Sequence, residues 1–425
     1  MMIKTMETRG MVGSFLIALV VTGAPLGAQL PQASAAALGM GYNTTASPHG
    51  FAAVANNPAG LGLPGSPGFS LAIPGLVAEA GIGPITFRDL IDWERRTVPV
   101  GVKEEWLARV VESGGQGGES GAAVTAVALN VGSVGLQISS RAGGAVAISP
   151  DAVELVLFGN AGRTGTERDF DLTGSTFDGY AMSTAALSWG FQASRQMYLG
   201  VTGSYSIGSG LVVGRDGGSL LRSSPLSIEV DFPMLVPSED WSFNNGSGLG
   251  LDVGAVWVGP RMTVGATIQS IVNTFEWNLD GYSYVAGVAR YEQGDSQSDF
   301  DEQPADDMPQ SFRDIVEGLT PKPAFAVGIE MSPSPLLRLA ADVRKRSAEG
   351  LVFGPEFHLG VGAELRAISF LPLRTHLNVV TGGMQIGGGA SLVLGQVNLS
   401  GGIARRSGEF GSATLGMVTL SFGGS

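Results

Sequence analysis

The feature that most restricts the fold of this chain is an alternation of apolar and polar residues with period two. Phe357, Leu359, Val361, Ala363 and Leu365 are interleaved with Glu356, His358, Gly360, Gly362, Glu364 and Arg366. Such a dyad places one kind of residue on each face of a strand. The pattern returns in 249–257 around Gly250, Asp252 and Gly254, and in 262–268 around Thr263, Gly265 and Thr267. It recurs in 325–331 around Glu330 and in 337–343 around Arg338 and Asp342. Many runs span about nine to twelve residues, close to the ~9–11 that cross a bilayer as a tilted strand and longer than the ~5–6 of a sandwich strand.

Fourteen strands are predicted, at 67–80, 121–131, 133–141, 178–191, 197–208, 248–258, 261–271, 323–331, 336–344, 355–366, 373–381, 384–394, 397–406 and 411–422. The links 81–120, 142–177, 209–247 and 272–322 are long, whereas Gly259-Pro260 and 192–196 are tight. Outer-membrane barrels alternate short periplasmic turns with long outer loops in this way. The alternation fades after Gly382, which leaves counts of 12 or 16 open. The expected fold is therefore all-β: a transmembrane antiparallel barrel of about 14 strands at 67–425, with short helices in its outer loops.

Composition agrees. Charged residues are 15% of the chain against about 25% in a typical soluble domain, and there are 65 glycines. Hydrophobic residues at 44% exclude a disordered chain. A net charge of -13 without a basic stripe argues against nucleic acid, and the lack of cysteine excludes disulfides and thiolate metal sites. His49, His358 and His376 have no metal-ligand spacing, so no cofactor or metal is expected. No nucleophile elbow or phosphate loop occurs, and the chain does not read as an enzyme.

Lys4 and Arg9, an apolar run at 10–21, and small residues at Gly23, Ala24, Gly27 and Ala28 have the layout of a secretory signal peptide within 1–35. Cleavage is placed after Ala28 or after Ala35. Ser149, Pro150, Asp151 and Gly159 bound a short loop helix. Between Val102 and Glu112, the residues Trp106, Leu107, Val110 and Val111 form an apolar stripe, and Thr86 and Asp89 open a turn at 87–93. The stretch holding Glu292, Asp295, Asp299, Asp301, Glu302, Asp306 and Asp307 reads as a solvated acidic loop. Trp189, Phe191, Tyr198, Trp257, Trp277 and Phe422 are expected at the lipid interface.

Ahead of the first strand, 36–66 is rich in Gly, Pro and Asn and cannot pair as a regular strand. Asn56, Asn57, Pro58, Ala59 and Gly60 within it resemble the Asn-Pro-Ala motif in the N-terminal plug of the long-chain fatty acid transporter family of outer-membrane proteins. Leu63 to Ser70, Leu157 to Asn160 and Ile271 to Trp277 are similar to one branch of that group. The resemblance implies a 14-stranded outer-membrane barrel closed by this plug, which passes hydrophobic small molecules and is surrounded by outer-membrane lipid. No residue here matches the family's substrate pocket position by position.

Asn before Pro is held extended, and Pro fixes the turn that follows. The candidate polar lining of the lumen is Asp252, Glu330, Arg338, Asp342, Glu356, His358, Glu364 and Arg366, read either as a polar track and plug-docking surface or as charges paired with one another in a wet interior. A passive port for hydrophobic molecules is the expected function. The rival is a structural, surface or secretion-accessory barrel without transport.

Overall fold

Fourteen strands, each antiparallel to the next, close into a barrel. They are β1 (Phe69–Gly83), β2 (Gln116–Val131), β3 (Val134–Ile148), β4 (Thr176–Gln192), β5 (Met197–Arg215), β6 (Gly246–Val258), β7 (Met262–Asn273), β8 (Ala324–Ser334), β9 (Leu337–Arg346), β10 (Phe357–Leu365), β11 (Leu373–Val380), β12 (Gly383–Leu394), β13 (Val397–Gly408) and β14 (Gly411–Gly423). The structure, a computed structural model, describes residues 30–239, 241–292, 295–347, 356–408 and 411–423. The signal-peptide reading at 1–28 falls outside them, and of 1–35 only 30–35 are described.

Closure is made by β1 on β14, in a register running from Ser70 opposite Gly423 to Ile82 opposite Ser412. A closed sheet leaves no unpaired edge for hydrocarbon to meet. Pro74, which has no N–H to give, sits in β1 where the register slips between Ala72 and Gly75. Outward positions form an apolar belt: Phe325, Val327, Val343, Leu359, Val361, Leu377 and Val379 are all exposed, Val361 by 54%. A water-soluble surface rarely carries so continuous an apolar area, whereas lipid tails solvate it.

Each predicted strand is present, but β3 continues to Ile148 rather than Arg141 and β5 to Arg215 rather than Gly208. These 15- and 19-residue strands exceed what a bilayer requires and project beyond it. Past the lipid band the apolar alternation lapses, and with it the signal that marks a strand in sequence.

The long loops hold helices α3 (Phe87–Asp92), α4 (Val100–Glu112), α5 (Pro150–Phe158) and α6 (Gln310–Gly318), which follow α1 (Ala35–Gly39) and α2 (Ala53–Asn56) of the N-terminal segment. Thr86 and Asp89 form a reciprocal capping box on α3, and Ser149 caps α5, which ends at Gly159 with φ +73°. Three expectations are corrected here. Val111 is exposed while Trp106, Leu107 and Val110 are buried, so the apolar stripe of α4 is narrower than read. The acidic stretch is not an irregular loop: Asp295–Pro304 is a strand paired with Tyr282–Glu292, which pairs in turn with Leu226–Asp231 and Met234–Pro237. Two aromatics are not interfacial, since Tyr198 faces inward and is buried, and Trp277 packs edge-on to Phe275 in the outer cap with its indole N–H donating to Leu319 O (2.7 Å).

A core formed by Leu211, Val213, Leu235, Phe275, Tyr284 and Phe312, among others, ties the upper strand ends to this cap. Its residues come from two strand ends and from segments far apart in sequence, which explains why no local periodicity announced it.

Candidate functional site: a segment seated on the inner wall

The stretch from Leu30 to Pro64 contributes no strand to the barrel. It is buried against inward-facing positions of most strands. Its local shape follows from its composition. Ser34 caps α1 by accepting from Ala37 N (3.4 Å). Asn57 is extended (φ −148°, ψ 106°), as a residue before proline must be, and caps the 3₁₀ turn Pro58–Gly62 through a bond from Ala59 N to its Oδ1 (3.2 Å).

The seat is lined by glycine. A Cβ placed on Gly190 or Gly200 would collide with the Pro58–Ala59 backbone, one on Gly254 with Asn57 Oδ1, and one on Gly265 with Thr45 O. On the opposite wall a Cβ on Gly389 would lie 3.1 Å from Gly39 Cα, and one on Gly402 would lie 2.9 Å from Ala35 O. Backbone thus meets backbone around much of the inner wall, an approach open only where no side chain intervenes. Inward glycines on β4, β5, β6, β7, β12 and β13 were visible in the sequence as dyad positions, but their common height was not.

Side chains then satisfy the polar groups that this close approach buries. Asn57 Nδ2 donates to Thr45 O (2.9 Å) within the segment and to Ala255 O and Ala266 O (3.2 Å each) on β6 and β7. Asn56 accepts from Gln32 Nε2 (2.9 Å) and donates to Ala52 O (3.1 Å). Ala59 packs with Leu63, Tyr198 and Val256, and Gly60 lies against Pro48 O. Gln269 Nε2 donates to Ala55 O (3.0 Å).

Of the candidate lining residues, Asp342 accepts from Thr45 N (2.9 Å), and His358 Nε2 lies 3.0 Å from Asn43 Oδ1. Asn43 Nδ2 continues that chain to Asn378 Oδ1 (3.0 Å), whose amide reaches Gln385 Oε1 (2.9 Å). Glu330 accepts from Ser47 Oγ. Glu364, 1% exposed, accepts from Arg366 Nε and Arg374 Nε (2.6 Å each), with Arg338 Nε 3.6 Å away. Removing this carboxylate would leave three cations uncompensated, Arg374 among them buried.

The structure does not bring all eight together. Asp252 accepts from Ser270 N (2.7 Å) inside the wall, where Ser270 has φ +49°. Glu356 lies beyond the outer end of β10, far along that strand from Glu364 and Arg366, which meet at its other end. The sequence did not mark as partners Asn43, Thr45, Arg374, Asn378 and His376, whose Nδ1 lies 3.1 Å from Gly39 O. The last three share one dyad face of β11, between Leu373, Thr375, Leu377 and Val379, so the signal for them was present. Among the described residues no group of three or more His, Asp or Glu is placed to hold a metal ion.

No family model matches the chain, and no curated protein matches its sequence. Solved structures do match. The toluene transporter TbuX of Ralstonia pickettii is 12% identical over 93% of this chain and all of its own, with a TM-score of 0.53. The P. putida toluene transporter TodX is 11% identical over 92% of this chain and 98% of its own, with a TM-score of 0.55. The barrel has the fold of these transporters.

Proposed function

We propose, from that shared fold, that this chain is a passive outer-membrane port for hydrophobic small molecules and that the segment Leu30–Pro64 is its plug. The observation that carries the reading is the way the segment is held. It touches a glycine-lined wall and is bonded by Asn57, Asn43, Thr45 and Ser47. Each neutral bond contributes only about 0.5–1.5 kcal/mol net, so a few can break together without unfolding the barrel. A molecule entering past the apolar loop helices would meet this segment, displace part of it, and continue along the lumen.

The same contacts support cleavage of the export signal after Ala28 rather than after Ala35. Pro31 O accepts from Gln137 Nε2 (2.7 Å), Gln32 holds Asn56, and Ala33 O accepts from Thr419 Oγ1 (3.0 Å). Cleavage after Ala35 would remove all three. N-terminal sequencing of the mature protein should begin at Gln29.

Transport is tested with purified barrel in liposomes, following toluene or a medium-chain alkane into an internal phase and comparing an unrelated barrel at equal density. Faster entry than through the control is expected. Entry equal to the control would favour the rival reading, a barrel whose outer sheet around Tyr282–Pro304 serves protein contacts.

A further inference from the structure

Below the seated segment, at the end of the barrel that carries the short turns, a cavity of about 360 Å³ lies between segment and wall. We infer that it is a binding seat for a small oxyanion, a phosphate or carboxylate group, gripped by the wall on one side and by the segment on the other.

The charge around the cavity is unbalanced. Arg338, Arg366 and Arg374 face it together with only two carboxylates, Glu330 and Glu364. Both oxygens of Glu364 are already taken by Arg366 and Arg374, and Glu330 accepts from Ser47. Arg338 Nε is 3.6 Å from the nearest oxygen of each carboxylate, beyond hydrogen-bond range. It is one of three buried polar atoms, on residues that line the cavity, that have no hydrogen-bond partner among the described residues. The others are Thr44 Oγ1 and His49 Nδ1.

Buried polar atoms are almost always bonded, and three unbonded ones on residues around one space can be satisfied together by an occupant toward which those side chains turn. A guanidinium and a hydroxyl can both donate, and an imidazole nitrogen can do so in one tautomer. Donors with a residual positive charge select an acceptor that is negative. Arginine pairs best with planar or tetrahedral oxyanions, through paired and charge-assisted bonds. A cation would be repelled, and water would satisfy the bonds while leaving the charge.

The two sides of the seat belong to different parts of the molecule. Thr44 and His49 lie on the segment, while Arg338 and Arg366 lie at the foot of β9 and just past β10. A bound anion therefore ties segment to wall. This inference does not depend on transport, since it concerns only how the segment is held.

The test is titration calorimetry on the full barrel in non-ionic detergent, with inorganic phosphate in one arm and hexyl phosphate in the other. Saturable binding of one anion per chain is expected, weakened at least about tenfold in Arg338→Gln by loss of a charge-assisted donor. Tighter binding of hexyl phosphate would identify the head of an amphiphile as the natural occupant; equal binding would identify a free anion. If Arg338→Gln loses the heat-modifiable gel mobility of a folded barrel, Arg366→Gln, at a half-exposed side chain, replaces it. Absence of saturable binding, or binding that neither substitution weakens in a folded barrel, would overturn the inference.

Discussion

Asn57 stands directly over Gly254, its side-chain carbonyl filling the space that a β-carbon at residue 254 would occupy. From there the Asn57 amide spans the seam between β6 and β7, donating to Ala255 O and Ala266 O. One side chain thus fixes the position of the segment against two strands.

Gly254→Ala should push Asn57 off that seam while leaving the barrel closed. Overpacking of this kind costs about 1–3 kcal/mol. Amide hydrogen exchange in Asn57–Gly62 should speed up, with the β6 and β7 amides unchanged. Unaltered exchange would mean that the seat tolerates a methyl group.

Asn57→Asp should be worse than Asn57→Ala. The alanine loses three donated bonds and an accepted one, whereas the aspartate also turns a negative charge toward the carbonyls of Thr45, Ala255 and Ala266. Facing buried acceptors with an anion costs more than deleting a donor, which is about 1–3 kcal/mol. Segment exchange rates should rank wild type, then alanine, then aspartate.

Glu364→Gln should lower the temperature at which the barrel loses its compact gel mobility. It leaves Arg338, Arg366 and Arg374 without their central carboxylate, a loss of about 3–5 kcal/mol for a buried partner. Adding Arg374→Met should recover part of it, because Arg374 is the most buried of the three cations. A double variant less stable than the single would refute the charge account.

Docking of the segment should weaken in acid in a buffer free of phosphate and carboxylate, because an oxyanion bound beside His49 would favour the protonated imidazole. Burial first, and then the neighbouring Arg338 and Arg366, hold the His49 imidazole down to about 4 from its usual 6.5 or so. The released segment therefore binds a proton that the seated one refuses. His49 imposes no penalty above about 6.5, and seating is lost as pH falls from there toward 4, by at most about 1.4 kcal/mol per pH unit. The difference between wild type and His49→Gln in segment exchange should vanish near neutrality and grow on acidification. A constant difference would contradict the assignment.

The barrel was legible in the sequence because each strand states its own two faces: Phe357 to Leu365 alternates whatever its neighbours do. Strand ends were less so. Ala142 to Ile148 and Ser209 to Arg215 lie past the lipid band, where nothing forces the outward face to be apolar. The outer sheet was invisible because Asp295–Pro304 has the composition of a solvated loop and is a strand only through its pairing with Tyr282–Glu292.

Within the site, Asn57 and Pro58 were marked by local chemistry, since the residue before a proline and the turn after it are restricted wherever they occur. Their partners were not marked, because Gly200, Gly254 and Gly265 acquire meaning only once three strands stand side by side. The same holds for Asn43 with His358, more than three hundred residues apart in sequence and 3.0 Å apart in space.

If passage needs the segment to move, a reversible lock on the segment stops it. A Cβ at residue 402 would lie 3.3 Å from Leu38 Cβ, near the usual spacing of about 3.5–4.5 Å in a disulfide; it would also press on Ala35 O at 2.9 Å, so the reduced pair is the control for seating, and the chain has no cysteine of its own. In Leu38→Cys/Gly402→Cys, toluene entry into liposomes should fall to the level of an unrelated barrel when the pair is oxidised and return when it is reduced. Undiminished entry through a fully oxidised, folded barrel would show that the segment is not the gate.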